Sequence, residues 1–314
     1  MSAVVIGGNG FIGSSLLRAL VNQGTAARAT LHANRSRVLD HGVEYFTGSA
    51  ADLDFMVDVL KGAEVAFMAA AVTSGAATME NSPLTHLGAN TVLNATFMDA
   101  CEIAGVRRLV FLSSSTVYPD APDRMSEADT DDTYFTKYQV VGSMKRFAER
   151  MALLHNEYSP TGLECVVVRP GNTFGPDDNF FVDAPHVIPA LVRRAFETEG
   201  EFEVWGDGKE LKSFIYIEDL VEGILLVAAN AKPGSIYNVA REEEITTLNL
   251  AETVLRLAGR DDPIVLDRSK PTMVPVRKLN CEAAERDLGF RSRTPIKDGL
   301  RSTIDQFQAS LDRG

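Results

Sequence analysis

The chain of 314 residues has only three cysteines, Cys101, Cys165 and Cys281, far apart and with no CxxC among them. That spacing excludes a disulfide framework and a cysteine zinc site, and no metal site is expected. It suits a reducing cytoplasm. There is no Lys/Arg run, and 31 Lys+Arg against 43 Asp+Glu leave a net charge of −12. Such a balance argues against nucleic acid or an anionic membrane as the main partner. An anionic small ligand would need cations placed locally against the global field. The most apolar stretch, 65–79, is too short and too rich in Ala, Ser, Thr and Gly to span a bilayer. The opening MSAVVIGGNG has no charged segment ahead of an apolar core, so no secretory leader is expected. Internal repeats and low-complexity tracts are also missing. What is present is ordinary: 45% hydrophobic and 24% charged residues in about two domain-equivalents, enough to bury a core without staples.

Short apolar runs at 3–6, 65–68, 109–112 and 165–168 read as buried strands, and the amphipathic segments 11–21 and 90–104 between them read as helices. This alternation predicts an α/β fold of the Rossmann type, a doubly wound parallel sheet covered on both faces. After Arg169 the rhythm changes: prolines stand at 170, 176, 185 and 189, and helical patterns appear around 186–196, 247–257 and twice within 280–307. The expected organisation is a dinucleotide-binding domain over 1–170, with 214–240 returning to it. A smaller, discontinuous C-terminal substrate domain is expected over 171–213 and 241–314.

Gly7-Gly8-Asn9-Gly10-Phe11-Ile12-Gly13 follows the first strand and opens the first helix. In that context Gly7 allows a tight turn, Gly10 lets a pyrophosphate approach the backbone, and Gly13 lets helix and strand pack closely. The phosphates would sit on free N–H groups at the helix start, beside Phe11 and Ile12. The next strand of an NAD site ends in a carboxylate that grips the ribose. Here TAARATLHANRSRVLD has no acidic residue before Asp40 and carries His32, Arg35 and Arg37 instead. Missing anion and neighbouring cations favour NADP(H) over NAD(H); a solvated basic loop is the alternative.

GGNGFIG, FMAAA at 67–71, LSSSTVYP at 112–119, Lys145 and RPGNTFGP at 169–176 resemble the extended short-chain dehydrogenase/reductases, the NAD-dependent epimerase/dehydratase family, which remodel nucleotide-linked sugars. GPDDNF, HVIPALVRR, VWGDG and KSFIYIEDL bring it nearest to the GDP-fucose synthase group. The resemblance implies hydride exchange between a nicotinamide and a sugar C4, with a hydroxyl at Ser114 on the C4 oxygen and Lys145 on the nicotinamide ribose. It implies cofactor contacts at Ala69, Ala70 and Pro170, and a nucleotide-diphosphate sugar held by Asn172, Arg194, Lys212 and Arg277, with Arg193 as the alternative to Arg194. It also implies a homodimer through the helix at 90–104 and the helix carrying Lys145.

Two positions depart from the group. Four residues before Lys145, where the family's proton-carrying Tyr belongs, stands Val141, which can neither give nor take a proton. Tyr138, seven residues before Lys145 and about 10.5 Å away along the helix axis, makes marginal contact at best and reads, with Tyr134, as a packing or substrate-loop residue. Thr116 occupies the place of the group's epimerisation Cys, while His186 matches its His. A hydroxyl is a poor base for an α-keto proton, so double epimerisation is in question, whereas His186 could still serve as a one-proton acid or base. Three readings stay open: a reductase or epimerase around C4, a C4 epimerase with tightly held cofactor, and a catalytically impaired NADP-binding homologue acting as a binding or regulatory protein.

Overall fold

The computed structural model describes residues 2–32, 41–73, 82–121, 123–181, 185–270 and 272–312. The first half runs β1 (Ser2–Ile6), α1 (Phe11–Asn22), β2 (Ala26–Leu31), β3 (Val43–Thr47), α2 (Leu53–Leu60), β4 (Val65–Met68), α3 (Leu87–Ile103), β5 (Arg108–Leu112), α4 (Gln139–Tyr158) and β6 (Glu164–Pro170). The second half adds β7 (Asn172–Phe174), α5 (Val187–Glu197), β8 (Phe202–Trp205), β9 (Leu211–Tyr216), α6 (Ile217–Asn230), β10 (Ile236–Val239), β11 (Glu244–Thr246), α7 (Thr247–Leu257), β12 (Ile264–Asp267), β13 (Val276–Arg277), α8 (Glu282–Leu288) and α9 (Ile296–Leu311).

Among the described residues, seven strands form one parallel sheet in the order β3-β2-β1-β4-β5-β6-β10. This is the expected doubly wound α/β sheet. Successive β1 residues point to opposite faces, as strand pleating requires. Ala3 and Val5 pack with Leu16, Leu17 and Leu20 of α1 and Ile224 and Val227 of α6. Val4 and Ile6 pack with Val59 of α2, Phe97 and Cys101 of α3, and Ala148 and Ala152 of α4. Strand order reverses between β1 and β4, and the crevice at the carboxyl ends of these strands is where such sheets take ligands.

The smaller layer is built around β9, with β7 and β13 parallel and β11 antiparallel to it, while β8 pairs with β12. Residue 214, the expected point of return, lies inside β9; the chain leaves this layer after Tyr216 and packs α6 beneath the large sheet. One hydrophobic cluster runs from Val5 and Leu17 through Ile224 to Phe174, Phe214 and Phe307, so the two layers share a continuous core.

Candidate active site

Gly7 has φ of +87°, and a β-carbon on it would stand 2.8 Å from the Ala70 backbone; a β-carbon on Gly13 would collide with the Gly7 carbonyl oxygen. The turn therefore closes only with glycine at both positions. Gly7 N–H donates to Thr30 Oγ1 and Gly8 N–H to the Thr30 carbonyl, both at 3.0 Å, which pins the turn to β2. Helix α1 has Gly10 at its N-cap, with no side-chain capping bond and no acidic residue in its first turn. Its first N–H groups, at Phe11, Ile12 and Gly13, thus face no competing carboxylate on the helix itself, which fits a dinucleotide diphosphate. Ala69 N–H donates to the Ile6 carbonyl at 3.0 Å, and half-buried Ala69 and Ala70 form the neighbouring strand end. His32 is exposed just beyond β2; Arg35 and Arg37 lie outside the described residues.

The end of β5 gathers the chemistry. Ser114 Oγ accepts from the Thr116 N–H at 3.2 Å and caps the short turn Ser115–Val117. Lys145, on α4, donates through Nζ to the Leu112 carbonyl at 2.9 Å and lies 5.0 Å from the centre of the Phe111 ring. It therefore stands at the same strand end as Ser114. Burial pulls its ammonium down to about 8, against the opposing pull of Glu149. The Thr116 carbonyl lies against α4 at Gly142, next to Val141, and Thr116 Oγ1 is buried with no hydrogen-bond partner among the described residues. Pro170 ends β6 nearby, half-buried and paired in register with Val239.

Beneath this surface lies a network that sequence reasoning missed. Glu149, one turn after Lys145, is fully buried and accepts from Ser113 Oγ at 2.5 Å and from Arg169 Nε and Nη2 at 2.8 and 2.7 Å. Arg169 Nη1 donates to Tyr118 OH and the Glu127 carbonyl, each at 2.9 Å, and Tyr118 OH donates to Asn238 Oδ1 at 2.6 Å. Asn238 in turn donates to the Met125 and Asn280 carbonyls. Helix α4, strands β6 and β10, and the loop after Tyr118 are thereby clamped together. Burial pushes the Tyr118 phenol up to about 12 in spite of Arg169. It is a structural donor at neutral pH.

The expected substrate residues fall into two groups. Arg277 and Lys212 are register partners on β13 and β9, and Asn172 on β7 donates to the Ser213 carbonyl at 2.8 Å. Arg277 Nη1 donates to the Tyr118 and Pro119 carbonyls at 3.4 and 3.1 Å, tying this group to the Ser114–Thr116 loop. Lys212 is paired with Glu210 at 3.4 Å. Arg194 belongs to a second cluster: it donates to the Glu203 carbonyl and sits 5.9 Å from the Trp205 ring, with Lys270 at 5.8 Å from the same ring. Its neighbour Arg193 points elsewhere, to the Phe180 carbonyl and Glu197. His186 is exposed at the N-cap of α5, with no side-chain capping bond. The Tyr138 ring lies over Arg277, 5.8 Å from its guanidinium carbon. No group of metal-ligating side chains is found among the described residues.

The glycine-cradled helix start after β1 and the Ser–Lys pair at the end of β5 lie on the same sheet, with β4 between the two strands. The model of the NAD dependent epimerase/dehydratase family matches residues 3–240. The chain belongs to that family. As a family member it is 30% identical to a probable GDP-L-fucose synthase 1 of Oryza sativa subsp. japonica, over 96% of this chain and 90% of that protein. It is 33% identical to a dTDP-4-dehydro-6-deoxy-D-allose reductase of a Streptomyces species, over 65% of this chain and 62% of the relative. Among solved structures, MoeE5 in complex with UDP-glucuronic acid and NAD superimposes with a TM-score of 0.87 at 28% identity, covering 99% of this chain and 100% of that one.

Proposed function

We propose that the protein is a nucleotide-sugar-modifying enzyme that uses NADP(H), a reductase or epimerase acting around a 4-keto or 4-hydroxyl sugar carbon. The observation that carries the reading is the convergence of Ser114 and Lys145 at the end of β5, on the same sheet as the α1 glycine cradle and two strands from β1. The bound nicotinamide supplies the hydride acceptor or donor. Ser114 would hydrogen-bond the C4 oxygen, and Lys145 would hold the nicotinamide ribose and lend its positive charge to the proton transfer. Val141 leaves no phenol at the usual place, so the proton would come from the Thr116 hydroxyl, a Lys145-bound water, a displaced Tyr or the substrate itself, with His186 as a second acid or base.

Residues 1–170 with 214–240 would hold the dinucleotide, and 171–213 with 241–314 the sugar nucleotide. The absence of an acidic residue after β2, together with His32, Arg35 and Arg37, supports NADP(H). Asn172, Lys212 and Arg277 would line the sugar-diphosphate side, and Arg194 with Trp205 would form a cation-aromatic wall. A homodimer is supported by an apolar stripe on the paired helices, and a cytoplasmic location by three separate, unpaired cysteines. Phe147, Leu154 and Tyr158 on α4, and Val92 and Ile103 on α3, are exposed at spacings that put each set on one face.

Incubation of GDP-, UDP-, dTDP- and CDP-linked 4-keto sugars with NADPH, and of the corresponding 4-hydroxyl sugars with NADP+ or NAD+, tests the reading. One NADPH oxidised per product identifies a reductase. Inversion at C4 with no net change in the redox state of the cofactor identifies an epimerase with held cofactor. Cofactor binding without turnover on any sugar would contradict the enzyme reading and favour the regulatory one, for which Val141 is the supporting residue.

A further inference from the structure

With valine at 141, a phenol for the C4 oxygen must come from another tyrosine. Tyr118 OH is committed to Asn238 and Arg169. The Tyr134 ring lies against α4 at Gly142, and its hydroxyl donates to exposed Asp132 at 3.3 Å. Tyr216 and Tyr237 are bonded to Ser302 and Asp287, Tyr45 lies on the outermost strand β3, and Tyr158 ends α4, about 25 Å of helix beyond Val141. Tyr138 is different. It is the N-cap of α4, so residues 138, 141 and 145 fall at i, i+3 and i+7 on one helix face, with position 141 a single turn, about 4.5 Å, further on. Its hydroxyl has no hydrogen-bond partner among the described residues. Lys137 Nζ donates to the Thr272 carbonyl at 2.8 Å, which ties this turn to the smaller layer. The Tyr138 ring stands edge-on to Phe135, with 5.7 Å between ring centres, and lies over Arg277, 5.8 Å from its guanidinium carbon. Arg277 bonds to the Tyr118 and Pro119 carbonyls, which continue the loop of Ser114 and Thr116. The phenol is thus held at the loop that carries Ser114, beside a fixed cation. Burial pushes it up to about 12 against the pull of Arg277, so at neutral pH it keeps a proton to give.

We propose that Tyr138 is the proton donor to the sugar C4 oxygen, acting from one helical turn before the usual place, with Arg277 as the cation that stabilises its phenolate. This rests on the nucleotide-sugar reading above and chooses among the proton sources that reading leaves open. In reduction, hydride from the dihydronicotinamide adds to the C4 carbonyl carbon and the C=O π pair moves onto oxygen. The Tyr138 O–H bond breaks as the new O–H bond forms on the C4 oxygen. The phenolate left over Arg277 recovers a proton from solvent, to which half-buried Tyr138 is open. Lys145 then serves the nicotinamide ribose alone and need not touch the phenol. A phenol that holds its proton at neutral pH suits reduction better than oxidation.

Equilibrium titration with GDP-, UDP- and dTDP-glucose and their 4-deoxy counterparts tests this, in the presence of NADPH, with which a 4-hydroxyl sugar cannot react. In the wild type, loss of the 4-hydroxyl should weaken binding roughly three- to tenfold, the worth of one hydrogen bond. In Tyr138→Phe, which keeps the ring over Arg277 and against Phe135, that discrimination should shrink by roughly threefold or more while NADPH affinity stays unchanged. Tyr134→Phe should keep it in full. Turnover of whichever 4-keto sugar the wild type reduces should fall roughly 100-fold or more in Tyr138→Phe with KM little changed. Unchanged discrimination or unchanged turnover in Tyr138→Phe would overturn this inference alone. So would a rise in KM at constant kcat, the mark of a residue that only holds substrate. Loss in Tyr134→Phe instead would move the role to that phenol and overturn the assignment to Tyr138. A wild type that binds no nucleotide sugar would overturn the inference together with the nucleotide-sugar reading.

Discussion

Two buried arginines bond to Tyr118, Arg169 at its hydroxyl and Arg277 at its carbonyl, and have opposite accounts. Arg169 is fully buried and every side of its guanidinium is engaged, by both Glu149 oxygens, Tyr118 OH and the Glu127 carbonyl. Arg277 has one side engaged and one edge unmatched. A charge whose nitrogens are all matched inside the protein serves the fold, whereas the unmatched edge of Arg277 fits the substrate-lining role proposed for it above. The contrast separates the scaffold of the site from its working surface without reference to any relative.

The largest expected effect lies on the scaffold side. Glu149→Ala strands a buried guanidinium and should cost about 3–5 kcal/mol of stability. Arg277→Met removes an incompletely matched charge and should change stability by no more than about 1 kcal/mol. Thermal and urea unfolding of both variants would check this, and equal losses would erase the distinction. On the working surface, Lys145→Ala should lower turnover by roughly 100-fold or more and weaken NADPH binding, with unfolding unchanged or improved. Unchanged kinetics would show that α4 does not present Lys145 to the cofactor.

A subtler test links the two regions. With the Lys145 ammonium held at about 8, NADPH affinity should fall as pH rises through that value. Glu149→Gln removes the charge that supports the ammonium, so the midpoint should move to lower pH, read by fluorescence titration across pH 6 to 10. The sign for stability is the reverse of a salt bridge. Burial favours the neutral amine in the folded chain, so Lys145 weighs against folding below about 8 and ceases to do so as pH climbs toward the ordinary lysine value of about 10.4. The smallest effect belongs to the surface: Phe147→Glu should dissociate a dimer, seen by sedimentation, while leaving the monomer's unfolding within about 0.5 kcal/mol.

The parts of this picture that were legible in the sequence are those encoded locally. The glycine turn and the runs at 3–6, 65–68, 109–112 and 165–168 are short-range signals, and each lies on a strand or the turn after one. β2, AARATL, is poor in β-branched residues, and β3 is a half-exposed edge strand, so neither stands out as an apolar run. The Glu149–Arg169–Tyr118–Asn238 network was not legible, because its members come from four elements up to 120 residues apart. Arg277 was readable as a cation but not as a fork with a free edge. That property comes from its register against Lys212 and its bonds to the Tyr118 and Pro119 carbonyls.

The most direct measurement is fluorescence titration of the purified protein with NADPH and NADH side by side. The account predicts that both quench or shift on binding, with NADPH tighter by roughly tenfold or more, as expected for a 2′-phosphate met by basic side chains instead of a carboxylate. Binding of neither coenzyme would contradict the claim that a nicotinamide dinucleotide lies along Gly7–Gly13 with its ring toward Ser114 and Lys145.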